Sequence, residues 1–211
     1  MKITVIGATG MVGTRVTDEA VRRGHQVTAI CRNPGTDGLP SGVTTVAADA
    51  NDAVTLRSLL ADTDVAVLSV RPAPGFEATL AAVTTAVLDA AAATGTRVLV
   101  AGGAGPLRSP NRPDLLVADD PAYVPAEYSA IAAASTDQLR ACQSHPDATW
   151  TYLSPPALLA PGERTGIYRR GTETLLIDDD GISRISAEDF AIAVLDELGN
   201  PAGAPHLTVA Y

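Results

Sequence analysis

Three glycines spaced three residues apart, near the start of the chain, constrain the fold more than any other feature. Gly7, Gly10 and Gly13 follow the apolar, β-branched run Ile3–Ile6 and precede a segment whose apolar residues recur at helical spacing. The apolar run predicts a buried strand, and the periodicity predicts a helix over residues 11–24. A strand joined to a helix by so glycine-rich a turn is typical of the first βα unit of a doubly wound sheet.

The same alternation of strands and helices continues through the first two-thirds of the chain. Strands are predicted over residues 26–31, 43–48, 65–70, 97–101 and 149–153, with helices over residues 52–61, 76–94 and 127–144. Asn33-Pro34-Gly35 is predicted to end the second strand. Strands that are apolar on both faces and alternate with helices indicate a parallel sheet covered on both sides. The expected fold class is therefore α/β, a Rossmann-type doubly wound parallel sheet in three α/β/α layers.

Composition excludes several classes of protein and of partner. With 46% hydrophobic and 18% charged residues, the chain is expected to be globular rather than disordered. Its formal net charge of −9 argues against nucleic acid and anionic membranes as partners. No apolar run is long enough for a transmembrane helix, and no signal peptide is expected. Two cysteines, Cys31 and Cys142, fit a reducing compartment, so we expect a cytoplasmic protein.

The glycine motif also carries the main functional signal. Gly7 permits the tight turn, Gly10 lets a pyrophosphate approach the backbone, and Gly13 allows the helix to pack closely on the strand. The free N–H groups and the dipole at the helix start favour phosphate. The alternative is a glycine-rich turn that binds no ligand. The loop predicted to bind a dinucleotide consists of Gly7, Ala8, Thr9, Gly10, Met11, Val12 and Gly13.

The residues that end the second and third strands bear on the choice of cofactor. Arg32, followed by Asn33, stands where an NAD-preferring site places a carboxylate. A guanidinium pairs with the 2′-phosphate that a carboxylate would repel, so NADP(H) is predicted in preference to NAD(H). The alternative for Arg32 is an ordinary surface arginine. Asp49 and Ala50, after the third strand, either hold the edge of the adenine or form a plain turn.

Long irregular segments are concentrated in the C-terminal half. Residues 102–126 and 155–171 are predicted loops, residues 173–177 a strand, residues 178–181 a turn and residues 206–209 a last strand. Ser186-Ala187-Glu188-Asp189 is a capping box that predicts a helix to about residue 198. We expect one domain, with a dinucleotide-binding core over residues 1–154. Residues 155–211 are then a C-terminal elaboration whose loops build a small substrate region over the carboxyl ends of the strands.

Several segments, taken with the glycine motif, carry a family resemblance: Cys31–Pro34, Asp49, Val100–Gly105, Trp150–Pro156, Pro161–Gly166 and Ile185–Asp189. They resemble the atypical short-chain dehydrogenase/reductases, and more narrowly the NAD(P)H-binding, NmrA-like group that includes flavin and biliverdin-IXβ reductases. The resemblance implies that NADP(H) lies across the strand ends, with Arg32 on the 2′-phosphate. It also implies that the cofactor's ribose and nicotinamide lie among Ser69, Val70, Arg71, Gly102, Gly103, Ser154, Pro155 and Pro156.

The chain departs from the short-chain dehydrogenases in its catalytic residues. Typical members carry a Tyr-x-x-x-Lys pair, in which the lysine lowers the pKa of the tyrosine. Here Ala132 stands four residues after Tyr128, and Lys2 is the only lysine of the chain. Gly102 and Gly103 replace the serine that usually follows the fifth strand. Alcohol–ketone chemistry, and epimerase chemistry built on it, are therefore not expected.

Two functions of different classes remain. The first is an NADPH-dependent reductase of a flat electron acceptor (flavin, quinone or tetrapyrrole) that takes hydride when stacked on the nicotinamide. The second is a non-catalytic NADP(H)-binding redox sensor that reports through a protein partner. Tyr128 and Tyr123 either donate a hydrogen bond to the substrate or pack beside a loop. Phe76, Tyr168 and residues 155–161 are candidates for pocket walls. The histidines show no metal-ligand spacing, and no metal is expected: His25, His145 and His206.

Overall fold

The computed structural model describes residues 1–33 and 38–211, and the predicted alternation of strands and helices is present in them. Pro34 and Gly35 of the predicted strand break lie outside the described residues. The strands are β1 (Lys2–Ile6), β2 (Gln26–Cys31), β3 (Thr44–Ala47), β4 (Val65–Leu68), β5 (Arg97–Ala101), β6 (Trp150–Ser154), β7 (Leu158–Ala160), β8 (Arg169–Gly171), β9 (Arg184–Ser186) and β10 (His206–Ala210). The helices are α1 (Met11–Arg22), α2 (Ala53–Leu60), α3 (Thr79–Thr94), α4 (Ser129–Ser144) and α5 (Ala187–Gly199).

The strands form an eight-stranded sheet in the order β3-β2-β1-β4-β5-β6-β10-β8. Neighbours run parallel throughout, except β8, which pairs antiparallel with β10 at the edge. The strand order reverses at β1, which has β2 on one side and β4 on the other. Ligands of open α/β sheets bind outside the carboxyl ends of the strands at such a reversal. The Rossmann-type doubly wound fold class is confirmed.

Helices cover both faces of the sheet because successive strand side chains point to opposite sides. Val5 of β1 belongs to the core under α1 and α5, together with Val16 and Phe190. Its neighbour Ile6 belongs to the core on the other face, which also contains Leu88 of α3. The continuous apolar strands seen in the sequence are therefore buried on both faces, as a parallel sheet requires.

The long segment between β5 and α4 is more ordered than a loop. It contains a 3₁₀ turn at Val117–Asp119, and its Leu107 and Val117 are fully buried with Leu175 in a third, smaller core. A buried hydrogen bond of 2.7 Å from Ser109 Oγ to Asp120 Oδ2 braces the same segment. Residues 102–126 and the chain around Leu175 thus fold together as one small lobe.

The predicted strand over residues 173–177 is wrong. Thr174 forms an isolated bridge with Arg108, whose N–H donates to Glu173 O at 2.7 Å, while Leu175 N–H donates to Arg108 O at 3.0 Å. Residues 155–171, predicted as loop, instead contain β7 and β8, and β7 pairs with β9. Each of these strands has three residues, too few for a periodic pattern in the sequence, and their pairing comes from distant segments.

A buried carboxylate fastens the segment between β7 and β8 to the first turn of α5. Asp189 accepts hydrogen bonds from Thr165 N and Gly166 N, both at 2.8 Å, and from Tyr211 Oη at 2.8 Å. Burial alone would raise the pKa of Asp189, but the hydrogen bonds from Thr165, Gly166 and Tyr211 outweigh it and lower the pKa below its ordinary value. The capping box contributes here as well, since Ser186 Oγ accepts from Asp189 N at 3.0 Å.

We expect Asp189→Asn to lower the free energy of unfolding by about 1–3 kcal/mol at neutral pH, since an amide leaves part of this donor set unpaired. A pKa lowered in the folded state contributes stability above the unfolded pKa of about 4 and loses it as the pH falls through the folded value. The gap between wild type and variant should therefore shrink below about pH 4 in denaturant unfolding. Asp179→Asn, at an exposed turn residue, is the matched control. A gap that does not vary with pH would contradict this account.

Candidate cofactor site

The glycine loop between β1 and α1 lies at the reversal of strand order, and two of its glycines are required by packing. Gly7 has a φ of +87°, and a Cβ on it would lie 2.3 Å from Ser69 O. A Cβ on Gly13 would lie 2.1 Å from Gly7 O. Any side chain at either position would therefore force the loop apart from β4 or the helix from the loop.

Gly10 differs from the other two glycines of the motif because it is exposed to solvent and a Cβ on it would not overlap the backbone. Its φ of −75° suits any residue, and the nearest atom to a Cβ built there is Gly7 O at 3.3 Å. Gly10 is exposed and is the N-cap of α1, where no side chain of the described residues caps the helix. The first N–H groups of α1 are thus left for an anion such as a pyrophosphate.

The other residues of the loop divide between core and surface. Ala8 is fully buried, so its methyl group packs in the core. Thr9 and Met11 are exposed on the same turn as Gly10. Thr14, one turn into α1, donates from its hydroxyl to Gly10 O at 2.9 Å and steadies the start of the helix.

The ends of β2 and β3 lie side by side at the carboxyl edge of the sheet. Arg32 and Asn33, directly after β2, are both exposed. Asp49, after β3, accepts at Oδ1 from Asn51 N at 2.8 Å and from Asn51 Nδ2 at 3.0 Å, which is the geometry of an Asx turn. Asp49 therefore forms the turn that was one of its two predicted roles. The contact of Asp49 or Ala50 with an adenine stays a prediction.

The loop after β4 is joined directly to the glycine loop. Ser69 N donates to Ile6 O at 2.8 Å, and the Ser69 carbonyl is the group that excludes a Cβ from Gly7. Val70 is half-buried behind it, and Arg71 is exposed. Ser69 and Val70 thus form the floor beside Gly7, and Arg71 is accessible to a phosphate or a substrate.

One buried tyrosine contacts both glycines that follow β5, and its ring explains the first of them. A Cβ on Gly102 would lie 2.0 Å from Cζ of Tyr152, and Gly103 N donates to Tyr152 Oη at 3.1 Å. Tyr152 of β6 is fully buried. Sequence reasoning missed this residue, although a phenol in the middle of an apolar strand was a visible signal that its hydroxyl must find a partner.

The residues after β6 are more enclosed than the sequence suggested. Ser154, Pro155 and Pro156 are all buried, and Ser154 Oγ lies 2.9 Å from His206 Nε2 of β10. Burial lowers the pKa of His206, which favours the neutral imidazole of this pair. The hydroxyl of Ser154 is therefore engaged by His206.

The aromatic candidates fall into two groups. Tyr128 and Phe76 are 52% and 64% exposed, on the turns before α4 and α3. Tyr123 instead packs on the third core, and its hydroxyl accepts from Asn111 Nδ2 at 3.2 Å. Tyr168 packs against the core under α5 and donates to Asp196 Oδ2, so it serves α5 rather than a pocket wall.

Two further findings concern the described residues as a whole. Within residues 1–33 and 38–211, no group of three or more His, Cys, Asp and Glu side chains is arranged to hold a metal ion. Across those same ranges, none of the helices combines the length and the apolar character needed to cross a membrane.

Comparison with known proteins agrees with this geometry. A family model described as NAD(P)H-binding matches residues 7–198. A proposed exported protein from Burkholderia pseudomallei has a similar structure, with 41% identity, a TM-score of 0.89 and full coverage of both chains. SP1627 from Streptococcus pneumoniae TIGR4, a proposed NADH-flavin reductase, is 29% identical with a TM-score of 0.89, over 100% of this chain and 99% of that one. A proposed epimerase from Bacteroides thetaiotaomicron is 30% identical with a TM-score of 0.89, over 100% and 96%.

Proposed function

We propose that this protein is an NADPH-dependent oxidoreductase that reduces a flat electron acceptor. The chain belongs to the NAD(P)H-binding family, whose model matches residues 7–198. The observation that carries this proposal is the exposed backbone of Gly10, which begins α1 at the reversal of strand order without a side-chain cap. Phosphate is favoured there by the helix N–H groups and by the absence of acidic residues from the first turn of α1.

Arg32 supports NADPH as the preferred form of the cofactor. It is exposed at the carboxyl end of β2, next to β1, which is where an adenine ribose lies in this kind of fold. A guanidinium in that place would pair with the 2′-phosphate through charge-assisted hydrogen bonds. The cofactor itself, when bound, supplies hydride from its nicotinamide.

The acceptor is inferred from the residues that surround the nicotinamide end of the proposed cofactor site. Gly102 and Gly103 offer no side chain to polarise a carbonyl, and Tyr128 has Ala132 in place of a lysine. A flavin, quinone or tetrapyrrole can take hydride by stacking, with protons from water, so that catalysis depends on proximity and orientation. The exposed rings of Phe76 and Tyr128, on turns near the carboxyl ends of β4 and β5, are suited to hold a flat molecule by stacking.

The names of the related structures support the chemistry to different degrees. SP1627 is a proposed flavin reductase, which agrees with a flat acceptor. The Bacteroides protein is a proposed epimerase, and that activity is disfavoured here because the described residues lack a Tyr–Lys pair. Buried, unpaired Cys31 and Cys142 support a reducing compartment, and we propose the cytoplasm.

The alternative is a sensor that binds NADP(H) without turnover and reports through a protein partner. The same replacement of the Tyr–Lys pair and of the serine after β5 favours it. Phe76 and Tyr128 would then belong to the partner surface rather than to an acceptor pocket. The two functions differ in a single observable, which is the consumption of NADPH.

We expect the purified protein to oxidise NADPH in the presence of a flavin, a quinone or biliverdin, with saturable kinetics and a preference over NADH. Tyr128→Phe should leave kcat within about twofold, because water supplies the proton when hydride transfer needs only orientation. Absorbance of NADPH follows the reaction, and calorimetry confirms binding separately. Bound NADPH with no turnover across the panel would favour the sensor, and a large fall in kcat for Tyr128→Phe would make that tyrosine the proton donor.

A further inference from the structure

A network of buried hydrogen bonds lies beneath the loop that follows β5. Tyr152 Oη accepts from Gly103 N at 3.1 Å and donates toward α4, where Ser135 O lies at 3.0 Å and Gln138 Oε1 at 3.1 Å. Gln138 Nε2 donates in turn to Thr84 Oγ1 of α3 at 3.1 Å. One phenol therefore links the end of β5 to α4 and, through Gln138, to α3, two of the helices that cover this face of the sheet.

The ring of Tyr152 also decides what can stand at residue 102. A Cβ on Gly102 would fall 2.0 Å from Cζ and 2.3 Å from Oη of that ring. The ring also meets His206 edge to face, with centroids 5.4 Å apart. The ring is fully buried, and the glycine beside it cannot be exchanged for serine without displacing the ring.

We propose that Tyr152 is a positioning residue of the cofactor site. Its hydroxyl holds the backbone N–H of Gly103 and its ring packs against Gly102, in the segment against which the nicotinamide end of the cofactor rests. This inference depends on the proposed function for the location of the nicotinamide, and it adds to that function the residue that sets the hydride-transfer geometry.

The energetic reason lies in the loop's own composition. Two successive glycines have more conformational freedom than any other pair, so this loop needs an external restraint. Gly102 N is held by Leu153 O at 3.0 Å, and the restraint on Gly103 is the hydrogen bond from its N–H to Tyr152 Oη. A partly buried N–H that loses its acceptor is costly, so the loop is expected to move when this bond is removed. A displacement of about 1 Å in reacting groups lowers a rate by about 100-fold.

The same residue accounts for the missing serine after β5. The phenol occupies the volume that a side chain at residue 102 would need. A serine hydroxyl at residue 102 and the buried ring of Tyr152 therefore exclude each other. A site built in this way orients its acceptor by stacking on a fixed loop and provides no group that polarises a carbonyl.

The test compares Tyr152→Phe with Thr96→Val. Both variants remove one buried, hydrogen-bonded hydroxyl, but Thr96 precedes β5 at the opposite edge of the sheet, where it donates to Leu60 O at 2.9 Å. Tyr152→Phe is expected to lower kcat with the acceptor about tenfold at saturating NADPH, with Kd for NADPH changed less than about threefold. Thr96→Val should leave both constants within about twofold at a similar loss of Tm. Equal kinetic effects of the two variants would overturn the proposal.

Two readouts without turnover separate this inference from the proposed function. Exchange of the Gly103 amide hydrogen should accelerate in Tyr152→Phe and stay slow in Thr96→Val, and bound NADPH should fluoresce less in Tyr152→Phe alone. Wild-type protein that binds NADPH without reducing any acceptor would remove the proposed function, and these readouts would still decide the role of Tyr152. Unchanged exchange and fluorescence in Tyr152→Phe would overturn that role. Should Tyr152→Phe not fold, Gly103→Ala displaces the same loop, since its Cβ would lie 2.7 Å from Ser135 Cβ.

Discussion

Gly10→Ala is expected to weaken NADPH binding by about 10- to 100-fold while leaving the fold intact. The backbone at residue 10 suits alanine, and the added methyl meets its nearest neighbour, Gly7 O, at 3.3 Å. That methyl would instead occupy the space into which the pyrophosphate must come, at an overpacking cost of about 1–3 kcal/mol. Calorimetric titration with NADPH measures the loss, and thermal unfolding without cofactor checks the fold.

Gly13→Ala is the matched comparison, three residues along the same motif. Its Cβ would lie 2.1 Å from Gly7 O, so α1 could not keep its place against the loop. This variant is expected to lose stability as well as binding, and the pair therefore separates a glycine required by the ligand from one required by the fold. A Gly10→Ala protein that binds NADPH like wild type would place the pyrophosphate elsewhere.

Arg32→Ala is expected to weaken NADPH by about 10- to 100-fold and NADH by less than about twofold. A charge-assisted hydrogen bond to phosphate contributes about 1.5–3 kcal/mol, and NADH lacks the 2′-phosphate that would accept it. The two dissociation constants, measured by titration at one fixed salt concentration, give the result directly.

Arg140→Ala controls for the loss of one positive charge. Arg140 is an exposed residue of α4 whose ion pair with Asp137, at 2.7 Å, is of the surface kind that contributes little to stability. Arg140→Ala should leave the affinities for NADPH and for NADH unchanged. Equal losses of NADH and NADPH affinity in Arg32→Ala would remove the assignment to the 2′-phosphate.

The local sequence pattern was sufficient to predict the strands and helices of the N-terminal, doubly wound part of the chain. The strands β2 and β5 begin and end where the apolar runs predict them, and α3 ends where Gly95 adopts a φ of +71°. These features depend on residues close in sequence: β-branched runs for strands, helical spacing for helices, and glycine for a left-handed cap. These elements could therefore be predicted without knowledge of the tertiary contacts between them.

The errors lie where pairing partners are far apart in the chain. Residues 173–177 have the composition of a strand, yet among the described residues their backbone pairs with Arg108 alone, through an isolated bridge at Thr174. The side chain of Leu175 packs in the core of the small lobe. Strands β7 and β9 have three residues each, and the residues that pair, such as Leu158 and Arg184, are 26 positions apart in the chain. Contacts of this kind leave no periodic trace, because each partner contributes too few residues.

The amino-acid sequence by itself determined the fold class, the βα unit with its three glycines, and the presence of Arg32 after the second strand. It also determined that Ala132 stands where a Tyr-x-x-x-Lys pair would have its lysine. These follow from local propensity and from the identity of single residues. Only the tertiary structure decided that a Cβ on Gly10 would come no closer than 3.3 Å to its neighbours, whereas one on Gly7 or Gly13 would overlap Ser69 O or Gly7 O. It also decided that Tyr152 takes the place of a side chain at residue 102, because van der Waals exclusion between β5 and β6 acts only once the two strands are paired.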